Sequence, residues 1–125
     1  MVREQVIDPF FPQCPVRNVL SRIGGKWPLL VLLTLDEAKA PLRFTEIERK
    51  IGDISQKMLA LTLHELEADG LIKRQAFAEV PPRVEYSLTE RTQTLMPLLH
   101  QLVGWALDNL SGIVHDREVF KEKYS

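Results

Sequence analysis

The side chains best suited to chemistry stand together at the predicted start of one amphipathic helix. Ser55 is a typical N-cap residue, and Gln56 and Lys57 follow it directly. A glutamine amide can pair with N6 and N7 of adenine, and a lysine can bind guanine or a phosphate. The free amides of a first helical turn also bind phosphate. These residue types bind rather than react, so the chemistry they predict is recognition of a nucleic acid.

The same helix has an apolar face that turns its polar residues outward. The inward positions are Met58, Leu59, Leu63 and Leu66. The outward positions are Ser55, Gln56, Lys57, Ala60, Leu61 and His64. The plainer interpretation is a solvated surface helix, but the neighbouring elements favour a helix that enters the major groove of DNA. A lone surface histidine usually has no special role, although His64 could add positive charge at low pH.

A single cysteine, Cys14, could be reactive. It precedes Pro15, which suits a first helical turn, so the helix dipole and Arg17 would favour the thiolate form. The plainer interpretation, a small residue packed at a subunit contact, is slightly favoured. Without a second cysteine, oxidant sensing would need an intersubunit disulfide, a mixed disulfide or an adduct. Neither a thiol enzyme nor a zinc site fits the spacing of the histidines, so we predict no catalytic residues, no metal and no cofactor.

Three predicted helices precede Ser55. The first covers about residues 15–23, and the second is the apolar run 29–35, which should be buried on every side. The third is short, around residues 44–51, with a capping box between Thr45 and Glu48. A tight turn then leads to the helix that begins after Ser55, so the two helices form a helix-turn-helix.

After Gly70 the apolar period changes from 3.6 to 2. Residues 71–78 and 83–88 therefore read as antiparallel strands, joined by a stiff loop that contains Pro81 and Pro82. A last apolar helix follows. The predicted domain layout is an arm at 1–13, one domain at 14–110 (helix-turn-helix 43–70, hairpin 71–88, last helix 89–110) and a tail or frayed helix at 111–125. This order is a mainly α winged helix-turn-helix with a small antiparallel β-hairpin as the wing.

The overall charge is nearly neutral, with 16 basic and 17 acidic residues among 125. A generally basic nucleic-acid binder is thereby excluded, and any such function depends on where the charges lie. Lys57, Arg43 and Arg83 fall on the expected DNA side, although Arg43 and Arg83 could equally be ordinary surface charges. The longest apolar stretch is far below the roughly 20 residues of a membrane span, so we expect a cytoplasmic protein without a membrane partner.

The sequence resembles the HxlR-type bacterial transcription regulators over about residues 14–110. The matching segments are Cys14–Val16, Ile23–Trp27, Arg43–Ile47, Ile54–Leu59, Leu66–Ile72 and Val80–Thr89. The resemblance implies a DNA-binding repressor or activator that forms a homodimer through its first and last helices. It also implies a possible oxidant sensor at Cys14, as in some members. Ala60, Leu61 and His64 depart from the polar residues and arginine that are usual there, so the operator cannot be borrowed from relatives.

The sequence therefore predicts a sequence-specific regulator, most simply a repressor, that binds a palindromic duplex as a homodimer. Its predicted DNA-binding residues are Arg43, Ser55, Gln56, Lys57, Ala60, Leu61, His64 and Arg83. An oxidant or a small molecule could act as effector, the latter in a pocket lined by Trp27 and Trp105, although large aromatic residues are more often core. The alternative function is a winged-helix module that binds a protein and no DNA.

Overall fold

Five helices and one β-hairpin make up residues 15–125, the part of the chain that the structure, a computed structural model, describes. The elements are α1 (Pro15–Gly24), α2 (Lys26–Ala38), α3 (Phe44–Ile51), α4 (Gln56–Ala68), β1 (Ile72–Phe77), β2 (Arg83–Leu88) and α5 (Glu90–Tyr124). The predicted mainly α fold with a small antiparallel hairpin is confirmed. The predicted arm and Cys14 lie outside the described residues.

The core is built around α2, which packs against α1, α3, α4, β2 and α5. Its buried face meets the buried side chains of α4, and Ile47, Ile72, Met96 and Leu99 close the same cluster. The expectation that α2 is buried on every side is wrong. Val31, Leu32 and Leu35 are buried, whereas Leu29 and Leu33 are half-buried, because the neighbouring elements enclose one face of α2 fully and the other only in part.

The short helix α3 begins two residues earlier than its predicted capping box. Its N-cap is Arg43, whose backbone N–H donates to Glu46 Oε1 at 2.9 Å, so the expected Thr45–Glu48 box is wrong. The reason lies just upstream, where the N–H and C=O of Leu42 pair with Tyr86 of β2 at 2.9 and 2.8 Å. This bridge holds the chain extended up to Arg43, so the helix begins at Phe44.

Local signals fix both ends of α4. Ser55 Oγ accepts the Met58 N–H at 3.0 Å, which confirms the predicted N-cap. At the other end Gly70 has φ +71°, its N–H donates to Glu67 O at 3.0 Å, and the Leu71 N–H donates to Leu66 O at 2.9 Å. This pair of hydrogen bonds is a Schellman motif, which needs a left-handed residue and so favours glycine.

The hairpin pairs Ile72 with Leu88 at its base and Phe77 with Arg83 near its tip. All six residues of β2 are half-buried, so burial does not alternate along this strand as the sequence pattern suggested. On the side expected to face solvent, Arg83 contacts Glu85 and lies over the Phe77 ring, which lowers the exposure of that side.

The last helix continues to Tyr124, beyond the end predicted at residue 110. Apolar side chains persist at helical spacing through Ile113 and Val114, and no proline follows Pro97, so the sequence offers nothing that would stop the helix. Residues 111–124 are therefore helical rather than a separate tail. Within residues 15–125, no helix has the length and apolar character that a bilayer crossing requires.

Candidate nucleic-acid interface

The outward side of α4 presents a continuous polar and small-residue surface. Its members are Gln56, Lys57, Ala60, Leu61 and His64, here called the reading face, and all five are exposed. The opposite side of the helix is closed, since Leu59, Leu63 and Leu66 have at most 2% of their surface exposed. Buried leucines of this kind each stabilise the fold by about 1.5–3 kcal/mol, so α4 is held firmly while its reading face stays open.

Ser55 lies at the edge of the reading face but already has a partner. Its hydroxyl caps the helix through the Met58 N–H, which positions the first turn. The backbone amides of Gln56 and Lys57 have no acceptor within the helix by helix geometry, so they point along the axis toward any anion placed there. The structure thus brings Ser55, Gln56 and Lys57 together at the positive end of the helix dipole.

Charge is divided along α4. Lys57 lies at the N-terminal end, and within residues 15–125 no carboxylate forms an ion pair with it. Glu65 and Asp69 lie near the C-terminal end and are both paired with Arg22 of α1. These two carboxylates of the α4 segment are thereby held near the end of the helix opposite Lys57.

Arg22 is not among the functional residues that the sequence predicted, although it pairs with both carboxylates. Its Nη1 lies 2.5 Å from Glu65 Oε2, and its Nε lies 2.9 Å from Asp69 Oδ2. The hydrogen bond to Glu65 is the largest cause that raises the pKa of Arg22, which keeps it cationic. The i, i+4 spacing of Glu65 and Asp69 was visible in the sequence, but their partner depends on the angle between α1 and α4.

The two other predicted basic contacts differ. Arg43 is exposed at the start of α3. Arg83 is half-buried in the wing, with Nη2 3.2 Å from Glu79 Oε1, Nε 3.7 Å from Glu85 Oε2, and its guanidinium 4.0 Å from the ring centroid of Phe77. The wing's own carboxylates thus compete with any phosphate for Arg83.

The basic residues Lys73 and Arg74 are both exposed on β1. They lie side by side near the base of the wing and, as neighbours in a strand, point to opposite faces of the hairpin. Within residues 15–125, neither forms an ion pair with a carboxylate. They are therefore candidates for a backbone contact in addition to Arg83.

A threonine pair ties α4 and the wing to α5. Thr89 Oγ1 donates to Gly70 O at 2.8 Å, and the buried Thr92 Oγ1 donates to Leu71 O at 2.6 Å. Both acceptors belong to the segment that ends α4 and begins the hairpin. The reading face and the wing are therefore anchored at one point on the long helix.

Many large apolar side chains of α1 and α5 are exposed, and together they are here called the apolar surface of α1 and α5. Trp105 is 60% exposed, and Leu102 and Leu107 are 54% and 66% exposed. The other members are Val16, Val19, Leu20, Leu98, Leu110, Val114, Val119, Phe120 and Tyr124. Where exposed apolar side chains form a large patch, the patch usually marks an interaction surface, so these two helices are the candidates for one. Trp27, by contrast, packs against the core, with Lys26 Nζ 4.3 Å from its ring centroid.

Comparison with known proteins gives one consistent result. Residues 22–113 match the family model for the HxlR-like helix-turn-helix. An HTH-type transcriptional regulator of Halalkalibacterium halodurans is 48% identical over 76% of this chain and 83% of its own length. The Bacillus subtilis regulator YybR is 42% identical over 94% of this chain and 99% of its own length.

Solved structures agree. That of YtfH from Salmonella typhimurium, described as a transcriptional regulator, is 38% identical, with a TM-score of 0.77 over 89% of this chain and 97% of that one. The redox regulator HypR in its reduced form is 40% identical, with a TM-score of 0.73 over 81% of this chain and 98% of that one.

Proposed function

The chain belongs to the HxlR-like helix-turn-helix family of transcription regulators, and from that premise we propose that it is a homodimeric repressor that binds a palindromic duplex through α4. The observation that carries the proposal is the reading face: an open, uncharged-to-basic helix surface backed by fully buried leucines. A helix of this kind fits the major groove with its N-terminal residues against base edges.

Each residue of the reading face has a stated task in this proposal. Gln56 pairs with an adenine and Lys57 with a guanine or a phosphate, while the first-turn amides bind a phosphate. Ala60 and Leu61 contact thymine methyl groups, and His64 lies toward the backbone. Ser55 acts by capping the helix. Arg43, Lys73, Arg74 and Arg83 supply backbone contacts.

The proposed dimer uses the apolar surface of α1 and α5. Its support is the number of large apolar side chains that are exposed on these two helices, among them Val19, Leu102 and Trp105. A two-fold axis through this surface would place the two α4 helices on successive major grooves, roughly 34 Å apart.

The function is tested by salt titration of binding to duplexes that the wild-type protein enriches from a randomised library. Several phosphate contacts should give a steep linear fall of log affinity with log salt concentration between roughly 50 and 200 mM. Repression is tested with the enriched site placed across a promoter, where added protein should reduce transcription in vitro.

A second candidate function is a winged-helix module that binds a protein. Its supporting observation is Leu61, which is 49% exposed in the middle of the reading face. Failure to enrich any duplex, together with an absence of salt-dependent binding, would favour this module over the DNA-binding regulator.

Redox control through Cys14 is a further part of the proposal. Its support is the likeness to HypR, which is described as a redox regulator, and the expected position of Cys14 at the start of α1. We expect diamide to change the affinity of the wild-type protein for its enriched duplex and to leave Cys14→Ser unchanged. Equal responses of both proteins would remove Cys14 as the sensor.

A further inference from the structure

Helices α1 and α4 are joined across a gap. α1 packs on α2, and α2 packs on α4, but an open cleft of about 280 Å³ lies between α1 and α4. Its lining residues are Asn18, Ser21, Arg22, Pro28 and Glu65. The cleft is mainly polar, so apolar packing does not set the distance between these two helices here.

The guanidinium of Arg22 spans this cleft through two ion pairs, to Glu65 and Asp69, which are here called the fork. Two different nitrogen atoms of its guanidinium bind two different carboxylates, Glu65 at 2.5 Å and Asp69 at 2.9 Å. The carboxylates are one turn apart on α4, so the pair of contacts fixes the direction of the helix as well as its distance. Within residues 15–125, these are the ion pairs that join α1 to α4.

The fork is poorly placed to serve stability. The side chains of Arg22, Glu65 and Asp69 keep 27%, 37% and 31% of their surface exposed, and ion pairs this close to water contribute little to folding. The two contacts can still contribute to the angle between α1 and α4, because they lie one turn apart and the cleft beside them is mainly polar. Arg22 also stays charged at every physiological pH, since its pKa is raised from an already high value.

A small change of angle at the fork would displace the opposite end of α4 by a larger distance. The fork holds the C-terminal end of α4, whereas Gln56 and Lys57 lie at the other end of this 13-residue helix, about 20 Å away. A tilt of roughly 10° over that length would move the reading end by about 3.5 Å, close to the rise of one base pair.

We propose that Arg22 is a positioning residue. It fixes the position of α4 relative to α1, one of the two helices of the proposed dimer contact, and thereby sets the distance between the two DNA half-sites that the dimer binds. The inference rests on the proposed dimeric DNA-binding function. Arg22 touches no base in this scheme; it acts through Glu65 and Asp69 on the separation of the two α4 helices.

The test compares spacing discrimination among full-length variants. The probe is the duplex enriched by the wild-type protein, together with versions that have one central base pair inserted or removed. Arg22→Gln should bind the enriched duplex about tenfold more weakly and lose most of the wild-type preference for it over the respaced versions. Lys121→Gln removes an exposed positive charge at the far end of α5 and should match wild type.

Rescue separates positioning from general damage. The charge-exchanged variant Arg22→Glu with Glu65→Arg should recover much of the spacing preference. The milder variant Glu65→Gln leaves the contact with Asp69. Its spacing preference should lie between those of wild type and Arg22→Gln. Thermal melts and sedimentation should show folded dimers throughout.

Two results would overturn the inference. One is that Arg22→Gln and Glu65→Gln both keep the wild-type preference for the enriched duplex over the respaced duplexes, whatever the change in overall affinity. The other is a wild-type protein that enriches no duplex or binds as a monomer, which would overturn the proposed function and this inference with it. Because the first result leaves wild-type binding intact, the two failures are distinguishable.

Discussion

Gln56 and Lys57 are adjacent on the reading face, yet removal of each side chain should change DNA binding in a different way. Lys57→Ala should weaken binding to all duplexes nearly uniformly and lower the slope of log affinity against log salt concentration by about 1, because a phosphate contact carries no sequence information. Fluorescence anisotropy across a salt series measures both quantities.

Gln56→Ala should instead relax the preference at one base-pair position, with a cost of about 1–3 kcal/mol on the enriched duplex and little on others. Re-enrichment from the randomised library reads this change directly. A uniform loss for Gln56→Ala would place its amide on the backbone and reassign base recognition to other residues of the reading face.

At the level of single residues, the sequence predicted what local chemistry decides. Ser55 was predicted as a cap and is one, because an N-cap needs only its own helix. Arg83 stays a predicted DNA contact, and the sequence did not indicate its partners Glu79 and Glu85, because the fold of the hairpin brings these three residues together. The fork at Arg22 could not be predicted for the same reason, because its residues lie more than 40 positions apart in the sequence.

Elements were predicted well where periodicity was strong and less well at their ends. The hairpin and α4 have the expected bounds to within a residue or two. The start of α3 was misplaced because a tertiary contact, the pairing of Leu42 with Tyr86, sets it. Residues 111–125 left a frayed helix and a tail open, because their apolar content falls, and the helix continues to Tyr124.

The junction of α4 with the wing gives a prediction at this scale. Gly70→Ala should lower the free energy of unfolding by about 1 kcal/mol or more, because φ is +71° there and a Cβ would lie 3.0 Å from Arg91 Nη1. Urea denaturation measures the change.

A matched control uses another glycine. Gly112 lies inside α5, and a Cβ there would meet nothing within 4 Å, so Gly112→Ala should be neutral or stabilising by up to about 1 kcal/mol. Equal effects of the two substitutions would show that the left-handed turn at Gly70 does not matter for stability.

For the whole molecule, the apolar surface of α1 and α5 is the decisive feature. Leu102→Glu should place a charge on that surface, convert the proposed dimer into monomers and reduce affinity for the palindromic duplex by at least about tenfold. Each domain should stay folded because Leu102 is 54% exposed. Sedimentation velocity and anisotropy measure the two effects.

Gln93→Glu introduces the same charge on the opposite side of α5, nine residues from Leu102, at a position that is also exposed. It should leave the proposed dimer intact. A monomeric Gln93→Glu variant, or a dimeric Leu102→Glu variant, would place the subunit contact elsewhere.

The length of α5 bears on how the cell uses this protein. Its 35 residues extend about 52 Å, and a separated subunit would carry the apolar stripe uncovered along much of that length. Such a subunit is open to proteases and to unspecific association, so it would have a shorter lifetime than the dimer. At low expression, occupancy of the operator would rise with the square of subunit concentration, and a doubled gene dose would raise it about fourfold. The amount of protein made would then itself become a regulatory input.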